Sequence, residues 1–223
     1  MIDGIMEHAC QDTRELILRA GLFCFAEHGF DGTSMRMIAD QAKRPLSLLS
    51  HHFGNKEGLY LEVFRQLYKS LAQNNGVEPP PEGGYSPRNK SEAIRLLREQ
   101  LHTISRDCAQ SAPDDPQREL AARLWMRELR SPRPSLLPLI QQQAKPVTET
   151  IKRCLHVLRP DLDEREIAFL GRSIMGQAIA PGLLRGLNQA VWGEDSFLGS
   201  PFQASEWLVD LCLHGLLGLG VQE

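Results

Sequence analysis

The sequence predicts an all-α protein, an N-terminal three-helix domain with a helix-turn-helix followed by a larger helical bundle. Three observations lead there. Apolar residues recur at three- and four-residue spacing in nearly every segment. The breaks between segments carry proline, glycine or a capping polar residue, and no stretch alternates as a strand would. A hydrophobic share of 42% with 24% charged residues is ordinary for a soluble globular chain.

The first helix is expected over residues 12–28, with Leu16, Ile17, Ala20, Phe23, Cys24 and Glu27 at helical spacing. Asp12 with Glu15 reads as its cap, and Gly29 followed by Phe30 as its stop. Thr33 is expected to cap a second helix to about Ala42, with Ile38 and Ala42 inward. After a break at Lys43–Pro45, residues 46–53 form a short helix, and Asn55 caps the next. Leu59, Tyr60, Val63, Phe64, Leu67 and Leu71 give that fourth helix a broad apolar face. Residues 74–90 are rich in proline, glycine and polar groups and are expected to be a mobile linker.

Beyond the linker, Ser91 and Glu92 open a helix to about Cys108, carrying Ile94, Leu97, Leu101 and Ile104 on one face. Helices over 117–130 and 135–158 follow, and Pro146 is expected to kink or divide the second of them. Asp163 caps a helix to about Ile179, which Pro181 and Gly182 disturb, and the last helix spans about 203–217. The expected domains are residues 1–60 and 61–223.

Composition narrows the function classes. No run reaches the 18 or more apolar residues of a membrane span. The N-terminus lacks the basic and apolar regions of a secretory signal, so a cytoplasmic location is expected. Five cysteines (Cys10, Cys24, Cys108, Cys154, Cys212), odd in number and never spaced as CxxC, point to reduced thiols with no metal site. The sequence shows no HExxH, nucleophile elbow or phosphate-binding glycine loop, and His28, His102, His156 and His214 are isolated. Neither an enzyme nor a cofactor is expected.

The formal net charge is −3, yet residues 33–56 hold Arg36, Lys43, Arg44 and Lys56 against Asp40 alone, a local +3. A compact basic face can supply the salt-dependent part of DNA affinity. Two short helices joined by a tight basic break also have the shape that enters a major groove. Periodicity alone would instead bury Leu46 with Leu49 and Phe53 in a plain packed helix pair. On the residues by themselves, both readings stand.

The run HGFDGTSMRMIADQA, followed by LLSHHFGNKEGLY, resembles the N-terminal domain of the TetR family of transcriptional regulators. The shared residues are Gly29-Phe30, Thr33-Ser34, Ile38-Ala39, Ala42, Leu49, Phe53 and Lys56 to Tyr60, within roughly residues 12–62. The resemblance implies binding to a double-stranded DNA operator. Thr33 and Ser34 would meet phosphate at a helix N-terminus, and Arg36 would reach a base edge. Leu46, Ser47 and Leu48 would open the recognition helix, with Ser50, His51, His52 and Lys56 along the phosphate backbone and Arg44 adding a further contact. The sequence departs from the family at the break, where Lys43, Arg44 and Pro45 replace the usual glycine, small apolar residue and polar cap. A lysine in a left-handed position is strained by about 1 kcal/mol relative to glycine.

The stretch RELRSPRPSLLPLIQQQAKPVTETI, with the later IMGQ, resembles the CecR-like subgroup of that family. Family resemblance implies a homodimer whose helical body binds a small-molecule effector that releases a repressor from a palindromic operator. Trp125, Met126, Phe169 and Met175 are large and adaptable candidates for that pocket, with Arg130, Arg172 and Gln177 as polar partners. Plain core packing is the alternative for the same residues. The apolar helices near 163–179 and 203–217 are the expected dimer surface. A thiol-responsive regulator is a second possibility, sensing oxidants through Cys24, Cys108, Cys154 or Cys212, of which Cys108 lies near Arg106 and Cys154 beside Arg153.

Overall fold

The computed structural model describes residues 2–74, 80–109, 116–193 and 201–218. These residues hold helices α1 (Ile2–Gly32), α2 (Met35–Ala42), α3 (Leu46–Phe53), α4 (Lys56–Asn74) and α5 (Lys90–Ala109). They continue with α6 (Pro116–Arg130), α7 (Leu137–Leu158), α8 (Glu164–Leu183), α9 (Arg185–Trp192) and α10 (Pro201–Gly218). The described residues contain no strand, and no single described helix is long and apolar enough to cross a membrane. The chain divides into two compact units, Met1–Asn74 with Ser111–Leu139, and Asn75–Gln110 with Ile140–Glu223.

In the first unit, α1 packs against α2, α4 and α6. Three neighbours bury more than one stripe, so Ile17, Leu18, Leu22, Cys24, Phe25 and Ala26 are all interior, while Phe23 is exposed. The helix begins at Ile2, which makes Asp12 an interior residue and not the expected cap. Its regular backbone breaks at Gly29, where φ is 71°. Ser34, one residue after the expected Thr33, caps α2. Asn55 does cap α4, accepting the Gly58 N–H at 2.9 Å. A side chain at Gly58 would begin 2.3 Å from the Phe53 carbonyl oxygen, so only glycine lets α3 end this close to α4.

The expected boundary near residue 60 falls inside α4, whose Leu59, Tyr60, Val63, Phe64 and Leu67 form one buried face. Helix α6 joins the same core through buried Leu124 and through Trp125, edge-on to Phe64 and Tyr68 at 5.3 and 4.9 Å between ring centres. The compact unit therefore extends to Asn74 and includes α6.

The second unit is centred on α5, α8 and α10 with α7, its core including Leu97, Leu101, Ile151, Leu155, Ile167, Ile174, Val209 and Leu213. Asp163 and Glu166 form a reciprocal capping box at the start of α8. Neither proline divides its helix: α7 runs through Pro146 and α8 through Pro181. The Thr150 hydroxyl donates to the Pro146 carbonyl at 2.8 Å. Of the expected linker, residues 75–79 lie outside the described residues, and the rest is not loose. The Tyr85 N–H donates to Thr150 Oγ1 at 2.9 Å, and Arg153 donates to the Gly84 carbonyl and Ser86 Oγ. Tyr85 also packs against the core, so apolar burial and three polar ties fix the segment.

Candidate nucleic-acid interface

The candidate surface is built from α2, a three-residue turn and α3. Ser34 Oγ accepts the Met37 N–H at 3.2 Å and sets the start of α2. Arg36 lies in its first turn, exposed and without an ion-pair partner among the described residues. Ile38, Ala39 and Ala42 hold the other side of α2 in the core.

Lys43 takes the left-handed conformation normally given to glycine, with φ 52° and ψ 45°. Its N–H donates to Asp40 O at 3.2 Å and the Arg44 N–H to Ala39 O at 3.0 Å, which closes α2. Pro45 is the N-cap of α3, and its carbonyl accepts the Leu48 N–H at 3.0 Å. The unusual Lys-Arg-Pro turn thus keeps the tight break, at a strain of about 1 kcal/mol in Lys43.

Leu49 is fully buried and anchors the rotation of α3. Leu46 is 38% exposed, so the purely periodic expectation that it is buried with Leu49 does not hold. Ser47, Ser50 and His51 are exposed beside it, while Leu48 and His52 are half-buried. The His52 ring stands 5.5 Å from that of His51 and 6.0 Å from that of Phe53.

Two residues expected at phosphate are turned inward. Thr33 is buried, its hydroxyl 2.6 Å from the Gly29 carbonyl and 3.0 Å from that of Cys24, and its N–H donates to Phe30 O. Both donors of Thr33 are committed to the end of α1. Lys56 Nζ donates to the Phe30 and Thr33 carbonyls, each at 2.9 Å, and lies 4.3 Å from the Phe30 ring centre. Lys56 is a tie between α4 and the turn before α2. Arg44, half-buried, donates across its own turn to Lys43 O at 3.1 Å.

The residues expected at an effector pocket are split between the units. Trp125, Met126 and Arg130 belong to the first unit, where the Trp125 ring packs in the aromatic core. Phe169, Arg172, Met175 and Gln177 belong to the second, where Phe169 is 63% exposed and Arg172 and Gln177 are exposed. Residues turned to water on α8 do not enclose a ligand inside that unit. Met175 packs against the core, and Gln177 accepts from Cys212 Sγ at 3.2 Å. A cleft of about 460 Å³ in the first unit is lined by other residues, among them Phe30, Tyr60, Arg127, Glu128 and Arg133.

Sequence reasoning missed Glu128, whose buried carboxylate accepts from the Tyr60 hydroxyl at 2.6 Å and from the Arg133 N–H at 2.8 Å. Its partner lies 68 positions away in sequence, and no local pattern marks it. The thiols are also less reactive than Arg153 suggested. Cys24, Cys154 and Cys212 are buried, and burial pushes each thiol up, Cys154 to about 11 with Glu92 adding to the rise. The side chains of Cys10 and Cys108 lie outside the described residues.

Residues 17–63 match the family model described as bacterial regulatory proteins, tetR family. Residues 97–213, more than half of the chain, match the C-terminal domain of the HTH-type transcriptional dual regulator CecR. Over 71 residues the chain is 32% identical to the HTH-type transcriptional repressor AcnR of Corynebacterium efficiens, covering 30% of this chain and 38% of that protein. Over 64 residues it is 36% identical to the HTH-type transcriptional regulator RutR of Escherichia coli K12, covering 29% and 30%. The chain thus spans about a third of the length of these relatives. The solved structure of HlyIIR, a hemolysin II transcriptional regulator, has the same fold, with a TM-score of 0.54 at 20% identity over 91% of this chain and 97% of that one.

Proposed function

We propose that this chain, which belongs to the tetR family of bacterial regulatory proteins, is a homodimeric repressor released from a palindromic DNA operator by a small-molecule effector. The observation that carries the reading is the turn at Lys43–Pro45. It keeps a helix-turn-helix geometry, leaving Arg36 and the Leu46, Ser47, Ser50 and His51 surface open to a duplex. The sign of regulation follows the relative named as a repressor. The site of action is the cytoplasm, on the bacterial chromosome.

Two stripes support the dimer. Exposed Phe169 and Gly176 lie with half-buried Ser173 and Ala180 at helical spacing on α8, and Trp207 and Leu211, 62% and 66% exposed, lie with exposed Gly215 on α10. Large apolar side chains beside small residues suit close packing of two copies under two-fold symmetry. A coupling of about 1–3 kcal/mol between effector and operator is enough for regulation.

The test is to select fragments of the source organism's DNA with the full chain, then to screen small molecules for release. The expected fragments share an inverted repeat whose half-site centres lie about 34–36 Å apart, one turn of DNA. Recovery no greater than in a protein-free control overturns the proposal.

A further inference from the structure

We infer that Leu46 and Leu48 make α3 a reader of thymine, recognising 5-methyl groups in the major groove, while hydrogen-bonded base readout falls to Arg36 on α2. This rests on the DNA-binding reading above and names what the bound sequence must contain.

Side chains discriminate base edges in few ways. Arginine or lysine forks pair with guanine, asparagine or glutamine with adenine, carboxylates with the cytosine amine, and apolar groups with the thymine methyl. Helix α3 reads LSLLSHHF and carries no arginine, lysine, amide or carboxylate. At about 100° per residue, Leu46, Ser50, Ser47 and His51 follow one another around its outward arc, and Leu48 lies just beyond His51. The exposures agree with this order: the first four are exposed and Leu48 is half-buried. Fully buried Leu49 pins the helix, so the arc cannot roll inward to hide Leu46.

Serine hydroxyls accept or donate to any base and make little choice among them. Their small size also lets the helix lie close to the base pairs, within reach of the leucines. The major-groove edge offers one apolar group, the thymine methyl, and leucine is the side chain here that gains by covering it. Leu46 is the first residue of α3, the end of a recognition helix that meets base edges.

The experiment selects a duplex from a random-sequence pool with the full chain, then rebuilds it with uracil in place of each thymine. Uracil deletes the methyl and keeps the hydrogen-bonding edge. Fluorescence anisotropy should show one or two positions per half-site where uracil weakens binding about fourfold, the worth of one buried methyl-sized group. At those positions Leu46→Ala or Leu48→Ala should bind the thymine and uracil duplexes alike, with an unchanged helical spectrum. Uracil duplexes that bind as tightly as thymine duplexes at every position overturn the inference and leave the DNA-binding reading intact. So does a uracil effect that persists in both alanine variants, since the methyl is then sensed elsewhere. A selection that recovers no duplex removes the DNA-binding reading itself.

Discussion

Lys43 and Lys56 flank the same turn region and do different work. Lys43 leaves its charge on the surface while its backbone bears left-handed strain. Lys56 gives two donors to the carbonyls of Phe30 and Thr33 and covers the Phe30 ring. A charged donor on a half-buried carbonyl is worth more than a neutral one, so removing the ammonium leaves two acceptors short. Lys56→Met keeps the apolar stem and deletes those bonds. It is expected to lose about 2 kcal/mol in urea unfolding, with the dependence of DNA affinity on salt as in the unaltered protein. An unchanged stability with a salt slope shallower by about one would return Lys56 to the phosphates. The amino-acid type showed a cation at this position. Which way its stem turns depends on Phe30 and Thr33, which sequence spacing does not locate in space.

Helix α6 is bound to α1 and α4 by a polar seam over an aromatic core. Glu128 accepts from Tyr60 and Arg133, the Arg133 guanidinium lies 4.0 Å over the Phe30 ring and pairs with Asp31, and Arg123 meets Glu27 at 2.6 Å. Burial first, and then the neighbouring Glu128 carboxylate, hold the Tyr60 phenol well above its ordinary value of 10. The folded chain keeps that proton where the unfolded chain gives it up, so this contribution is full below pH 10 and is lost as pH rises further. Thermal melts followed by circular dichroism should therefore fall above about pH 10, and less steeply in Tyr60→Phe. That variant should also lose about 1–3 kcal/mol at neutral pH, since a Glu128 oxygen loses its donor. Parallel alkaline losses in both proteins would falsify the assignment. Half-buried Tyr68 and the buried thiols of Cys24, Cys154 and Cys212 are also raised and contribute to the remaining fall. Most helices were legible because their ends are local chemistry: Asn55 and Asp163 cap where side chain and backbone are three residues apart. The membership of α6 was not legible, since helical spacing shows that a face is apolar and not which helix it meets. The residues after 79 read as loose from their prolines and glycines, whereas Tyr85 and Arg153 fasten them through contacts more than 60 positions apart.

Across the whole molecule the charge is −3, while residues 33–56 carry +3, so a duplex is drawn to one small part of an otherwise acidic chain. With Thr33 and Lys56 committed inward, Arg36 is the outward fork able to choose a base, and the account depends on it. An exposed residue with no ion-pair partner among the described residues, it can be replaced without disturbing either compact unit. The most direct test is to titrate a selected duplex and its single-base-pair variants with the full chain and with Arg36→Ala. The account predicts that the variant loses about 1–3 kcal/mol of discrimination at one base pair of each half-site and keeps its preferences elsewhere. Discrimination by Arg36→Ala equal to that of the unaltered chain at every base pair would contradict it.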